Sequence, residues 1–236
     1  NYSEEEYIIL LKVLADMDRD YLDEAFMAAA GPFIERAKQS ESFNLRVAAL
    51  NCARHVFADY TDDLYYKDLL KVMNLPEGRE AFFEREGNLF LVDLKMGTHW
   101  VVKVANLELM LRYIDGQSDA GSVMHLGTHL TNLLKVSESI FVRRAAGNSL
   151  LKIASNMTYA QRNELTVELF NGLEIGDPQI SKYVPEFLGK MILKLPPREF
   201  DEFVKTIEGQ LLTVNIPLAA SMVQTVGIIL EQFDEF

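Results

Sequence analysis

Three helix-sized stretches of this chain fall on one another at a shift of about 38 residues, the size of a repeated helical hairpin. A fixed period of that length leaves few folds open, because each unit can bury its apolar face only against its neighbours. At this shift Ser139, Asp177 and Asn215 coincide, followed by Val142, Ile180 and Leu218, then Leu150, Leu188 and Val226, then Ile153, Met191 and Ile229. Ser, Asp and Asn are good helix N-caps, since their side-chain oxygens accept from backbone N–H groups that lack a partner in the first turn. The trios that follow are apolar at helical spacing, so each block opens a helix and gives it one buried face.

The segments between those blocks obey the same shift, with Leu165 over Phe203, Leu169 over Ile207 and Leu173 over Leu211. The unit is therefore a pair of helices. Thr158-Tyr159-Ala160-Gln161 reads as a capping box, and Gly176 before Asp177-Pro178 reads as the stop of one helix and the start of its partner. Further back, Ser42-Phe43-Asn44-Leu45-Arg46 matches Ser139-Ile140-Phe141-Val142-Arg143, and another copy starts near Thr98. Second helices are expected over residues 42–58, 99–114, 139–155, 178–194 and 216–232. Their partners are expected over 20–38, 78–95, 118–135, 158–174 and 197–212. Ser3 with Glu6 opens one further helix.

Two features interrupt the pattern. Residues 59–78 form an insertion carrying a short helix that ends at Asn74-Leu75-Pro76. Its tyrosines are expected to face inward, the other reading being an acidic and aromatic interaction surface. Pro185 falls inside an expected helix, where it predicts a kink.

Phe141-Val142-Arg143-Arg144-Ala145-Ala146 and Asp177-Pro178-Gln179-Ile180-Ser181-Lys182 resemble the second helix of HEAT repeats, in the HEAT/armadillo class. The resemblance covers about four-fifths of the chain. It implies an all-α, right-handed α-solenoid of about five HEAT-like hairpins with one inserted helix, forming a single domain over 1–236. The last copy, Leu218-Ala219-Ala220, lacks the basic residue, and the turn at Thr98-His99-Trp100 is altered.

The resemblance also implies that second helices line the concave surface. These helices contain Arg46, Arg54, Lys103, Arg112, Arg143, Arg144, Lys152, Lys182, Lys190 and Lys194 against Glu108, Glu186 and Glu231. That is a net +7 within a chain of net −12, leaving −19 elsewhere. A basic groove on an acidic body would concentrate an anionic partner; the other reading is that these cations pair with neighbouring carboxylates. The expected function is a noncatalytic protein-binding or scaffolding module that holds an acidic partner segment through Arg46, Lys103, Arg143, Arg144, Lys182 and Lys190, with Trp100 as an edge anchor. A nucleic-acid-binding domain is one alternative, opposed by a pI near 4.8.

The other alternative is a metal-assisted enzyme using His125 and His129, which stand four apart on one helical face. The glutamate that follows the first histidine of metalloprotease helices is missing, and two ordinary histidines are the expected reading. No phosphate-cradling glycine loop, nucleophile elbow or dinucleotide fingerprint occurs, so no cofactor, metal or catalytic residue is expected. Cys52 is the sole cysteine, which excludes an internal disulfide. It is expected to be a small buried hydrophobe rather than a nucleophile paired with His55. No apolar run approaches the roughly 20 residues that cross a bilayer. A cytoplasmic setting is expected. The chain starts at Asn1 and ends on an amphipathic helix without a polar cap, so it is expected to be a piece of a longer protein.

Overall fold

The computed structural model describes residues 2–78, 81, 98–114, 120–173, 182–213 and 215–233. Among these are eleven α-helices and no strand. They divide into two compact units, residues 1–109 and 110–236, with the division inside the helix Trp100–Tyr113. No helix among the described residues is long and apolar enough to cross a membrane.

In the first unit, α1 (Glu4–Asp16), α2 (Glu24–Lys38) and α4 (Asp62–Val72) all pack on α3 (Phe43–Val56), and α5 (Trp100–Tyr113) begins there. The core is made of Ile8, Leu11, Ile34, Val47, Ala49, Leu69 and Leu109, nearly all wholly buried. The capping box of α1 is formed: the Ser3 N–H donates to Glu6 Oε2 at 2.6 Å, and the Glu6 N–H donates to Ser3 Oγ at 3.3 Å. The inserted helix is α4, and of its tyrosines, expected to face inward, Tyr65 is buried and Tyr66 half-buried. It ends with Asn74 in the left-handed region (φ 53°), which lets the Leu75 N–H turn back to the Leu70 carbonyl at 2.8 Å.

The second unit contains α6 (Ala120–Val136), α7 (Ile140–Ile153), α8 (Tyr159–Leu173), α9 (Val184–Ile192), α10 (Pro197–Leu211) and α11 (Ile216–Phe233). Consecutive helices pair as α6 with α7, α8 with α9 and α10 with α11, and like packs on like in α6 with α8, α7 with α9 and α9 with α11. This is the arrangement the period predicts. Val142, Leu150, Ile153, Leu188 and Met191 are all buried, as the register requires; Ile180 lies outside the described residues. So do Gly176, Asp177, Pro178 and nearly all of the helix expected over 78–95.

Glycines set how closely these helices approach. A Cβ on Gly147 of α7 would stand 2.5 Å from the Phe187 ring of α9, and one on Gly127 of α6 would stand 2.5 Å from Leu165 of α8. Gly189 of α9 plays the same part toward α11, where a Cβ would come within 3.0 Å of Ile228 and 3.1 Å of the Thr225 carbonyl.

Two local expectations need correction. Pro185 does not kink a helix, because α9 starts at Val184 and the proline occupies its first turn, where the missing N–H has no intrahelical partner to lose. Ser139 stands at the N-cap of α7 but makes no capping bond, unlike Ser42, which accepts from the Leu45 N–H at 3.2 Å, and Asn215, which accepts from the Leu218 N–H at 3.1 Å.

Leu188→Ala should lower unfolding free energy by about 2–5 kcal/mol in denaturant titration, because the wholly buried side chain leaves a cavity between packed helices. Leu212→Ala, at a position 88% exposed, should change it by less than about 0.5 kcal/mol.

Candidate functional site

The repeat places Arg46 and Arg143 at matching positions, and the structure gives them matching partners. Arg46 Nη1 donates to the Ser40 carbonyl at 2.7 Å and to the Glu41 carbonyl at 3.1 Å. Arg143, only 7% exposed, donates from Nε to the Ser137 carbonyl. In each case the guanidinium reaches six residues back across the hairpin turn, to a carbonyl just past the end of the preceding helix, where backbone acceptors lack helical partners. A charged donor with fixed fork geometry suits that task. These arginines therefore clasp hairpin turns, a role that charge counting does not reveal.

The other expected partner-binding residues are placed differently. Lys103 of α5 is half-buried, and Arg144 of α7 is exposed. Lys182 is exposed, with its ammonium 5.6 Å from the Tyr183 ring centroid. Lys190 is paired with Glu186 on its own helix at 2.7 Å. Trp100 is half-buried at the start of α5, and its indole N–H donates to Glu5 Oε1 at 2.8 Å, while His99 Nε2 lies 2.6 Å from Glu5 Oε2. Partial burial pushes the Glu5 carboxyl up, but the Trp100 N–H and then His99 outweigh it, and the net effect holds Glu5 below its ordinary value.

Behind Trp100, in the first unit, lies a cavity of about 90 Å³ whose polar lining includes Lys12, Asn51, His55, Tyr65 and Glu108. Two of these groups already engage each other. Tyr65 Oη donates to Glu108 Oε2 at 2.9 Å, and Arg54 sits 3.2 Å from the same carboxylate with its guanidinium 4.1 Å from the Tyr65 ring centroid. Arg54 also approaches Asp62 of α4 at 3.8 Å, so this cluster fastens the inserted helix to α3 and α5. The space is far below the roughly 300–1,000 Å³ of small-molecule sites.

A larger recess lies in the second unit. Leu151 of α7, Lys190 of α9, Leu193, Lys194 and Leu195 just beyond it, Pro197 and Phe200 of α10 and Gln232 of α11 line an open groove of about 660 Å³. Leu193, Phe200 and Pro197 supply an apolar floor, and Lys190 and Lys194 supply charge at its edge. Repeat periodicity marks Leu193 and Leu195 as ordinary helix-end residues. The available signal is local: a lysine between two leucines, directly before Pro196-Pro197, where the chain must leave one helix and start another.

The two histidines share a face of α6 with ring centroids 4.8 Å apart, His125 exposed and His129 half-buried. Burial first, and then His125, holds His129 below its ordinary value. Among the described residues no group of three or more His, Cys, Asp or Glu is placed to hold a metal. Cys52 is wholly buried and desolvation pushes its thiol up to about 12, which keeps it from acting as a nucleophile.

Arg143→Ala should lower stability by about 1–3 kcal/mol in denaturant titration, because the Ser137 carbonyl loses its charged donor. Arg144→Ala, at the exposed neighbour, should stay within about 0.5 kcal/mol of the parent. A second expectation concerns pH. Because folding lowers the Glu5 pKa, its contribution is present above the ordinary value of 4.5 and is lost as pH falls through the lower folded value. Glu5→Gln should therefore flatten the acid limb of a plot of melting temperature against pH while leaving its alkaline side parallel to the parent.

Comparison with family models, with curated proteins and with solved structures gives no match to this chain.

Proposed function

We propose that the chain is a HEAT-like, right-handed α-solenoid of about five hairpins that acts as a noncatalytic binding or scaffolding module in the cytoplasm. Its working surface on this reading is the groove of the second unit. A short partner segment lays apolar side chains on Leu193, Pro197 and Phe200 and sets carboxylates beside Lys190 and Lys194. The observation that carries the proposal is the combination of a 660 Å³ apolar recess with two lysines at its edge on a chain of net charge −12. The local field attracts an acidic segment that the rest of the surface repels. Packed helices hold the groove walls in place, so little ordering entropy is lost on binding.

Arg144 and Lys182 are exposed cations of the same unit and extend the basic character beyond the groove. Arg46 and Arg143 are assigned to hairpin turns and are withdrawn from the contact surface. The protein-binding reading is favoured over a nucleic-acid one by the floor: a phosphate backbone needs a row of cations, whereas this groove offers leucine, proline and phenylalanine with two lysines, one already paired to Glu186.

The test is fluorescence anisotropy with a fluorescein-labelled peptide of alternating glutamate and phenylalanine. Binding should weaken about tenfold or more in the double variant Lys190→Glu, Lys194→Glu. It should weaken with added salt, and it should fall for the matched peptide with glutamine in place of glutamate. Affinity that is unchanged by charge reversal, or equal for the glutamine peptide, overturns the proposal.

A further inference from the structure

The outer face of α11 carries a vacant copy of the seat by which α9 receives α11. On α11, Leu218, Met222, Thr225 and Ile229 are buried, and the side opposite them presents Ile216, Ala220, Val223, Gly227 and Leu230. Ile216, Val223 and Leu230 recur every seven residues and are 78%, 60% and 58% exposed. That is the spacing of side chains that interlock with a facing helix. Glu231 is the sole charged residue among the eighteen of this helix.

Gly227 gives the face its meaning. It lies 38 residues after Gly189, the repeat shift, and so is the counterpart of the glycine whose missing side chain admits Ile228 and the Thr225 backbone of α11. Gly147 of α7 admits Phe187 of α9 by a similar close approach, four residues out of that register. At Gly227 a Cβ would meet no described atom within 4 Å. The same repeat position is thus filled at Gly189 and open at Gly227, on a face continuous in pattern with an interface already formed.

We propose that this face of α11 is a docking surface for one further amphipathic helix, laid on α11 as α11 lies on α9. The partner helix is poor in charge along its contact side, since α11 offers nothing to pair with a buried ion, and it carries a branched aliphatic or aromatic residue that enters the notch at Gly227. The helix that performs this task within the chain is α11 itself, seated on Gly189, which supplies a probe of the required chemistry.

The experiment uses the full chain and a fluorescein-labelled synthetic peptide of residues 216–233 extended by lysines for solubility, read by anisotropy. The matched variant is Gly227→Ile, whose added Cβ meets no described atom within 4 Å and which should keep the helical spectrum with a melting temperature no lower than the parent's. The expected result is saturable binding to the parent chain that falls at least tenfold in Gly227→Ile and in Val223→Asp. Three results overturn the proposal. One is no binding to the parent. Another is equal binding to Gly227→Ile, as when the peptide merely displaces the native α11 from α9. The third is sedimentation of the parent alone as a dimer that Gly227→Ile dissolves, which makes a second copy the occupant.

Discussion

The packing of the second unit depends on how near one helix backbone can come to the next. Phe187 rests where Gly147 has no side chain, and Ile228 rests where Gly189 has none. An added methyl group would overlap the Phe187 ring at Gly147 and press on Ile228 and the Thr225 carbonyl at Gly189, so the glycines permit the close helix separation. Val142, Leu150, Leu188 and Met191 are wholly buried because that separation brings the faces together. Glycine is a poor interior residue for an isolated helix, and its use here trades local propensity for close contact.

Electrostatics divides into two kinds of work. Buried or half-buried charge is structural: Arg143 holds a turn carbonyl, and Arg54 bridges α3 to the inserted α4 and to Glu108. Exposed charge is free for encounter, as at Arg144 and Lys194. The separation of cations onto second helices is thus not a single feature. Part of it arises because the first turns of α3 and α7 lie beside open carbonyls past the preceding helix, where Arg46 and Arg143 find acceptors without needing a carboxylate.

Much of the fold was legible in the sequence because its signal is periodic. The hairpin pairing, the capping boxes at Ser3 and Thr158 and the burial of Val142, Leu150, Ile153, Leu188 and Met191 follow from spacing alone. Pro185 is ambiguous in the sequence because the apolar period continues through it, although the proline itself marks the first turn of α9. The groove was less legible, since Leu151, Lys194, Phe200 and Gln232 come from separate elements and only packing brings them to one recess. The contacts of Arg46 and Arg143 were hidden for a related reason: a basic residue at a repeat position looks the same whether it faces solvent or a carbonyl.

The arginine clasp has a consequence for how a chain of this kind can change length. Each guanidinium spans a turn of fixed extent, from Arg46 to Ser40 and from Arg143 to Ser137. Residues added inside either hairpin would move the carbonyl out of reach and leave the half-buried Arg46 or the buried Arg143 without its acceptor. Among the described residues, the linkers after α3 and α7 carry no such span. The one interruption of the period, residues 59–78, follows α3 and so falls after a finished hairpin rather than within it. The clasp thereby sorts positions where insertion is tolerated from those where it is not, and growth of the sequence is steered to the joints between repeats.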